Sequence, residues 1–129
     1  MDRRILITGS RKWTNVDTIC AVLDGIDVVG GPPVLVHGAC AGADTIAAAY
    51  WASFGYPVEP HPANWKRYNK KQAGHIRNWQ MVSLGADYCY AFLLDDSPGT
   101  LGCVKLAKQA GIPTTIYRET TRHREARLF

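Results

Sequence analysis

The chain of 129 residues has few cysteines, and the four it has, Cys20, Cys40, Cys89 and Cys103, are widely spaced. There is no Cys-x-x-Cys or Cys-x-x-His pair, which excludes zinc-ribbon and thioredoxin-type chemistry and leaves these residues as small, reduced core or turn positions. No metal-ligand cluster, Ser/His/Asp spacing or nucleophile elbow is present, so neither a metal nor a cofactor is expected. No apolar run approaches the roughly 18 residues of a spanning helix. The opening Met1-Asp2-Arg3-Arg4-Ile5-Leu6-Ile7 enters a strand-like run without a signal-peptide core, and a cytoplasmic, membrane-free location is expected. A Gly-Lys-Ser/Thr phosphate loop and a Gly-x-Gly-x-x-Gly fingerprint are also missing.

What remains is ordinary globular material, 47% hydrophobic and 20% charged, of a length that suits one domain. Apolar runs at Arg4–Thr8, Val34–His37, Val58–His61, Tyr88–Leu94 and Thr114–Tyr117 read as strands. Between them, helical spacing follows Asn15, Asp44, Lys70 and Leu101. Gly55-Tyr56-Pro57 and Gly111-Ile112-Pro113 punctuate alike before two of the strands. Five strands joined by single helices predict an α/β fold: one Rossmann-like three-layer domain over residues 1–117, with a mostly parallel five-stranded sheet covered on both faces. Residues 118–129 form a basic tail carrying Arg118, Arg122, Arg124 and Arg127.

Acid is absent from Pro60 to Ala86, while Lys66, Arg67, Lys70, Lys71 and Arg77 lie there. With a net charge of +4, this surplus points to an anionic partner. Such sheets bind ligands beyond the carboxyl ends of their strands. The loops to search are therefore Gly9-Ser10-Arg11-Lys12-Trp13, Gly38-Ala39-Cys40-Ala41-Gly42-Ala43-Asp44, Pro62-Ala63-Asn64-Trp65 and Asp95-Asp96-Ser97-Pro98-Gly99-Thr100. Small residues at helix starts let backbone amides approach a phosphate; Asp44 equally suits a helix cap. Trp13, Trp65 and Tyr68 suit either base stacking or covering the end of the sheet. His37 and His61 read better as structural than as acid–base residues.

Arg77 is the sharpest residue. Helical spacing places it with Ala73, Ile76, Gln80 and Leu84, so it should point toward the sheet. A buried guanidinium needs a partner. Either Asp95 or Asp96 neutralises it, or a ligand phosphate or carboxylate does.

Four stretches in this order resemble the SLOG superfamily: Ile5-Leu6-Ile7-Thr8-Gly9-Ser10-Arg11, Val36 to Asp44, Ala73-Gly74-His75-Ile76-Arg77-Asn78-Trp79-Gln80-Met81, and Gly99-Thr100. The nearest group is the small YspA/YpsA-related SLOG domains. The resemblance spans about residues 3–117 and implies a modified Rossmann fold that binds nucleotides or nucleotide-derived ligands. It also reaches the LOG-type phosphoribohydrolases, which cleave the N-glycosidic bond of nucleoside monophosphates, and the single-strand-binding protein DprA. Arg77 and Met81 match the Arg-Lys-x-x-Met stretch of the LOG enzymes, with Asn78 in place of lysine. Pro98-Gly99-Thr100 resembles a shortened Pro-Gly-Gly-x-Gly-Thr-x-x-Glu loop, with Cys103 where those enzymes carry the catalytic glutamate.

Three functions follow. The first is a sensor or sequestering domain for a nucleotide-type small molecule. Its ligand would contact Gly9, Ser10 and Arg11; Gly38, Ala39, Cys40, Ala41, Gly42, Ala43 and Asp44; Trp65, Arg77 and Asn78; and Ser97, Gly99, Thr100 and Leu101. The second is a LOG-like hydrolase with Arg77 stabilising the transition state and Asp95 or Asp96 as the acid. A carboxylate close to Arg77 would favour it. The third is single-stranded nucleic-acid binding through Lys66–Lys71, the tail, Trp65 and Tyr68. An apolar helix surface from Trp51, Phe54 and Trp79 would suit a homo-oligomer.

Overall fold

The computed structural model describes residues 2–121. Five strands alternate with four helices: β1 (Arg4–Gly9), α1 (Val16–Asp24), β2 (Val34–His37), α2 (Ala43–Ser53), β3 (Val58–Pro60), α3 (Lys70–Ser83), β4 (Tyr88–Leu94), α4 (Pro98–Gln109) and β5 (Thr114–Glu119). All strands are parallel, in the order β3-β2-β1-β4-β5. This is the expected α/β Rossmann-like architecture. No helix among the described residues is long and apolar enough to cross a membrane.

Alternation along the strands sorts the core into two layers. Ile5, Ile7, Leu35, Phe92 and Leu94 face α1 and α2, meeting Ile19, Leu23, Ala47 and Trp51. Leu6, Val36 and Cys89 face α3 and α4, meeting Met81, Val82, Cys103 and Ala107. Each fully buried large apolar side chain contributes about 1.5–3 kcal/mol, so both helix layers are held firmly. The α1 start follows from Asn15, whose side chain accepts the Thr18 amide; Asn69 does the same at α3 for Gln72.

Several details depart from the expected pattern. Pro98-Gly99-Thr100 is the first turn of α4, not a loop before it. The proline has no amide to lose and suits the first helical position. Trp13 is core: it packs edge-on against Phe92 and donates to the Asn15 carbonyl. Trp51 is also buried, so only Phe54 and Trp79 of the three proposed surface aromatics are exposed. On α3 the buried stripe is Ala73, Arg77, Asn78, Met81 and Val82, whereas Gln80 and Leu84 face solvent. The stripe is rotated because α3 packs chiefly on α4, with Met81 and Val82 joining the sheet residues Leu6 and Val36 in one core cluster.

Strands β1 and β4 are neighbours, yet the helices leaving them cover opposite faces. Their carboxyl ends therefore diverge and open a crevice. Ser10 clamps this point: its Oγ accepts the Leu94 amide at 2.9 Å, and its own amide donates to the Phe92 carbonyl at 2.9 Å.

Candidate ligand cleft

The crevice widens into a cleft of about 1250 Å³. Its walls are the ends of β1 and β4, the first turn of α4, one side of α3, and Trp65 and Tyr68 from the segment before α3. A smaller hollow of about 540 Å³ adjoins it and shares Arg11, Cys40, Trp65 and Tyr68. Gly9, Ser10, Arg11, Cys40, Asp44, Trp65, Arg77, Asn78, Asp95, Asp96, Ser97, Gly99 and Thr100 thus come together on the main cleft. Ala39 and Ala41 line only the smaller hollow. Gly38, Gly42, Ala43 and Leu101 line neither.

Arg77 lies in the buried stripe of α3, 7% exposed. Its Nε donates to Asn78 Oδ1 at 2.8 Å, and its Nη1 donates to the Gly38 carbonyl and sits 3.5 Å from Cys40 Sγ. It forms no ion pair with any described residue, so neither Asp95 nor Asp96 neutralises it. Nη2 has no hydrogen-bond partner among the described residues. Asn78 also donates from Nδ2 to the Gly99 carbonyl at 3.4 Å, which joins the arginine to the first turn of α4. The asparagine at the lysine position of the LOG motif therefore orients Arg77 against α4.

The glycines divide into two groups. A Cβ on Gly38 would lie 2.6 Å from Arg77 Nη1, so the guanidinium occupies that space. On Gly9 it would meet Ala43 Cβ at 2.3 Å. Gly42, at φ +78°, would bring one within 2.4 Å of the Arg11 carbonyl oxygen. These three glycines serve packing, and the Ala43 amide that opens α2 already donates to the Ser10 carbonyl at 3.3 Å. The start of α2 is thus turned inward at the Ala43 amide. A Cβ on Gly99 or Gly102 of α4 would have nothing within 4 Å, and one on Gly74 of α3 would meet only Arg77 Nη2 at 3.9 Å and the Trp65 ring tip at 4.0 Å.

Those glycines, with Ser97, leave the start of α4 open. The Ser97 side chain makes no capping bond; its Oγ lies 3.3 Å from Thr100 Oγ1. The first helical bond runs from the Leu101 amide to the Ser97 carbonyl. The Gly99 and Thr100 amides precede it and are the orphan donors of the helix start, carrying part of its positive dipole. Arg11 lies over Trp65, 5.6 Å from its ring centre.

The carboxylates hold different positions from those expected. Asp95 Oδ1 accepts the Thr121 amide at 2.9 Å and Oδ2 accepts its hydroxyl at 2.5 Å. It fastens the end of β5 to the loop after β4, which the sequence-based assignment as an acid missed. Asp96 is exposed at the cleft rim. The carboxylate in the field of Arg77 is Asp44, 4% exposed. Its Oδ2 accepts the Gly38 amide at 2.9 Å, so it caps the loop before α2 rather than a helix amide. Oδ1 is buried and has no hydrogen-bond partner. Burial pushes this carboxyl up to about 6, against the opposing pull of the Gly38 amide, Arg77, the Cys40 amide and Arg11.

Cys103 is fully buried and is not on the cleft surface; burial pushes its thiol up to about 11. His37 caps its own loop by accepting the Ala39 amide, and burial holds its pKa below the ordinary imidazole value. His61 pairs with Glu59, which also takes both terminal nitrogens of Arg4. Both histidines are thus structural. Ala39 and Asp95 adopt left-handed backbone, at φ 55° and 54°, and both stand in loops that frame the site. Gly74, Gly102 and Gln72 on the cleft were not singled out from sequence; a glycine inside a helix, unfavourable by about 1 kcal/mol, was the signal available for Gly74. Of the basic cluster, Lys66 and Arg67 are exposed, and Arg67 rests on Tyr68. The side chains of Lys70 and Lys71, and the tail residues Arg122, Arg124 and Arg127, lie outside the described residues.

Known proteins resemble this chain to different degrees. The Gene 61 protein of Mycobacterium phage D29 is 44% identical over 117 residues, covering 86% of this chain and 93% of that protein. Among solved structures, the C-terminal domain of a hydrogenase from Pyrococcus furiosus superposes with a TM-score of 0.46 at 15% identity, over 88% of this chain and 90% of that one. The model of the YspA, cpYpsA-related SLOG family matches residues 3–68, which include β1, the Gly38–Asp44 loop and Trp65. The chain belongs to the YspA, cpYpsA-related SLOG family.

Proposed function

We propose that this protein binds a nucleotide or nucleotide-derived ligand in the cleft, as a sensor or sequestering domain. The observation that carries this is Arg77: a buried guanidinium with no ion pair, and with Nη2 unpartnered on the side of Gly74. Asp44 acts on it only through its field, without an ion pair. A ligand anion pairs with Nη2 directly and meets the Gly99 and Thr100 amides at the start of α4. The bare backbone at Gly74, Gly99 and Gly102 gives it room. Trp65 offers a ring face for a base, which would compete with Arg11 for it. Membership of a SLOG family is compatible with this ligand class.

A second reading, a LOG-like phosphoribohydrolase, draws on the carboxylate in the field of Arg77. Its acid would be Asp44, because Asp95 is tied to Thr121 and the Cys103 thiol is buried. One experiment separates the two. Thermal-shift titration with nucleoside monophosphates, NAD, ADP-ribose and cyclic nucleotides is followed by chromatography of each mixture. Stabilisation that disappears in Arg77→Ala, with the ligand recovered intact, supports the sensor. Released base supports the hydrolase. Absence of any shift across the panel refutes both. Saturation at a hundred-fold excess over Kd stabilises by about 2.7 kcal/mol, so a true ligand is visible.

A further inference from the structure

We propose that Asp44 reads a hydroxyl group of the ligand, accepting a hydrogen bond at Oδ1 while Arg77 holds the ligand's anion. This deepens the nucleotide reading and rests on it. The carboxyl is fixed from below: Oδ2 is held by the Gly38 amide, and the carbonyl of the same residue is held by Arg77 Nη1. Gly38 is thus wedged between the two charged groups, and this fixes their spacing. Oδ1 alone is left over. It is buried without a hydrogen-bond partner, in a residue that lines the cleft together with Thr8 and Cys40. The Cys40 amide pulls on the same carboxyl, yet no donor completes a hydrogen bond to Oδ1, which leaves a strong acceptor unsatisfied. The groups around it are Arg77 from α3, Arg11 from the loop after β1, and the Cys103 thiol from α4, whose pKa is raised first by burial and then by the Asp44 charge. Neither the Arg77 nor the Arg11 side chain donates a hydrogen bond to it within the described residues.

The ligand must therefore supply the donor, and it must be neutral where it meets Asp44, since a second anion there would be repelled. An anion with a hydroxyl a few ångströms away is the chemistry of a sugar phosphate. A site built around a hydrogen bond to a hydroxyl rejects the analogue that lacks it, because its own polar group is then left unpaired.

The test titrates AMP, 2′-deoxy-AMP and 3′-deoxy-AMP into the wild-type protein and into Asp44→Asn. The asparagine keeps the shape and can still accept the Gly38 amide, but presents a donor where Oδ1 was. The wild type is expected to favour AMP at least ten-fold over one of the deoxy forms. In Asp44→Asn that preference falls to within about two-fold, with the affinity for the deoxy form itself little changed. Equal affinities for all three in the wild type overturn the assignment. So does a preference that survives the substitution, or a uniform loss for all three, which marks a merely structural carboxylate. If none of the three binds, the assignment falls; the nucleotide reading falls with it only if the wider panel is also silent.

Discussion

Replacing Asp44 with asparagine should stabilise the ligand-free protein, by an amount that depends on pH. The carboxyl is moved from 3.8 to about 6 by burial, and only one of its oxygens is hydrogen-bonded. Between those two values the folded protein keeps a proton that the unfolded chain has lost. Stability therefore falls as pH rises through this window, and the loss is complete by about pH 7. A shift of about two units corresponds to about 3 kcal/mol. Asparagine has nearly the same shape, still accepts the Gly38 amide and cannot ionise. Near pH 3.5 the two proteins should melt together; at pH 7.5 Asp44→Asn should melt about 10 °C higher, by the usual conversion for a domain of this size. Glu59, which Arg4 and His61 pull down to about 2, titrates in both proteins and cancels from the difference. The same holds for His37. The assay is differential scanning calorimetry of both proteins without ligand from pH 3.5 to 8. A melting difference that stays constant over that range would refute the argument, since it would mean that Asp44 is not carrying an uncompensated charge.

Three other outcomes follow from the same geometry. Gly38→Ala drives a methyl into the Arg77 guanidinium, at 2.6 Å from Nη1, so that the side chain must shift; it should abolish ligand binding while destabilising by at most about 1–3 kcal/mol, measured by urea denaturation. Gly74→Ala has room at 3.9 Å and should stabilise α3 by about 0.5–1 kcal/mol, yet weaken ligand binding by filling the gap between Arg77 and Trp65; calorimetry and titration on one sample check both. Alkylation at pH 8 should label Cys40 well before Cys89 and Cys103, whose thiols burial raises to about 12 and about 11; mass spectrometry of the native protein reads the order.

The fold was legible because its signals are local and repeated. Continuous apolar strands such as Tyr88–Leu94 are what a sheet covered on both faces requires, and single helices between them leave few topologies. The burial of Arg77 was legible too, from its spacing to Ala73. Its partner was not. Asp95 and Asp96 stood in a loop with the right chemistry, but the left-handed turn at Asp95 directs that carboxylate to Thr121, and no local pattern encodes a contact across that distance. Asp44 looked like a helix cap and is one of a different kind, bonded back to Gly38.

The glycines show the same limit from another side. Gly38 and Gly42 stood out as a phosphate loop because glycine beside alanine before a helix has that appearance in one dimension. In three dimensions their missing side chains make space for Arg77 and for the Ser10–Arg11 backbone. The open glycines are those inside helices, Gly74, Gly99 and Gly102, where a sequence reader expects only lost stability. A helix glycine that faces the cleft with nothing filling the space leaves room there for the ligand proposed above. In polar terms the counterparts are the buried, unpartnered Oδ1 of Asp44 and the open Nη2 of Arg77. On the reading proposed above, one ligand that carries an anion, a hydroxyl and enough bulk would meet all of these features together. Separate structural accidents would give no reason for these features to share one cleft, and substitutions that remove them singly should stabilise the protein while weakening its binding.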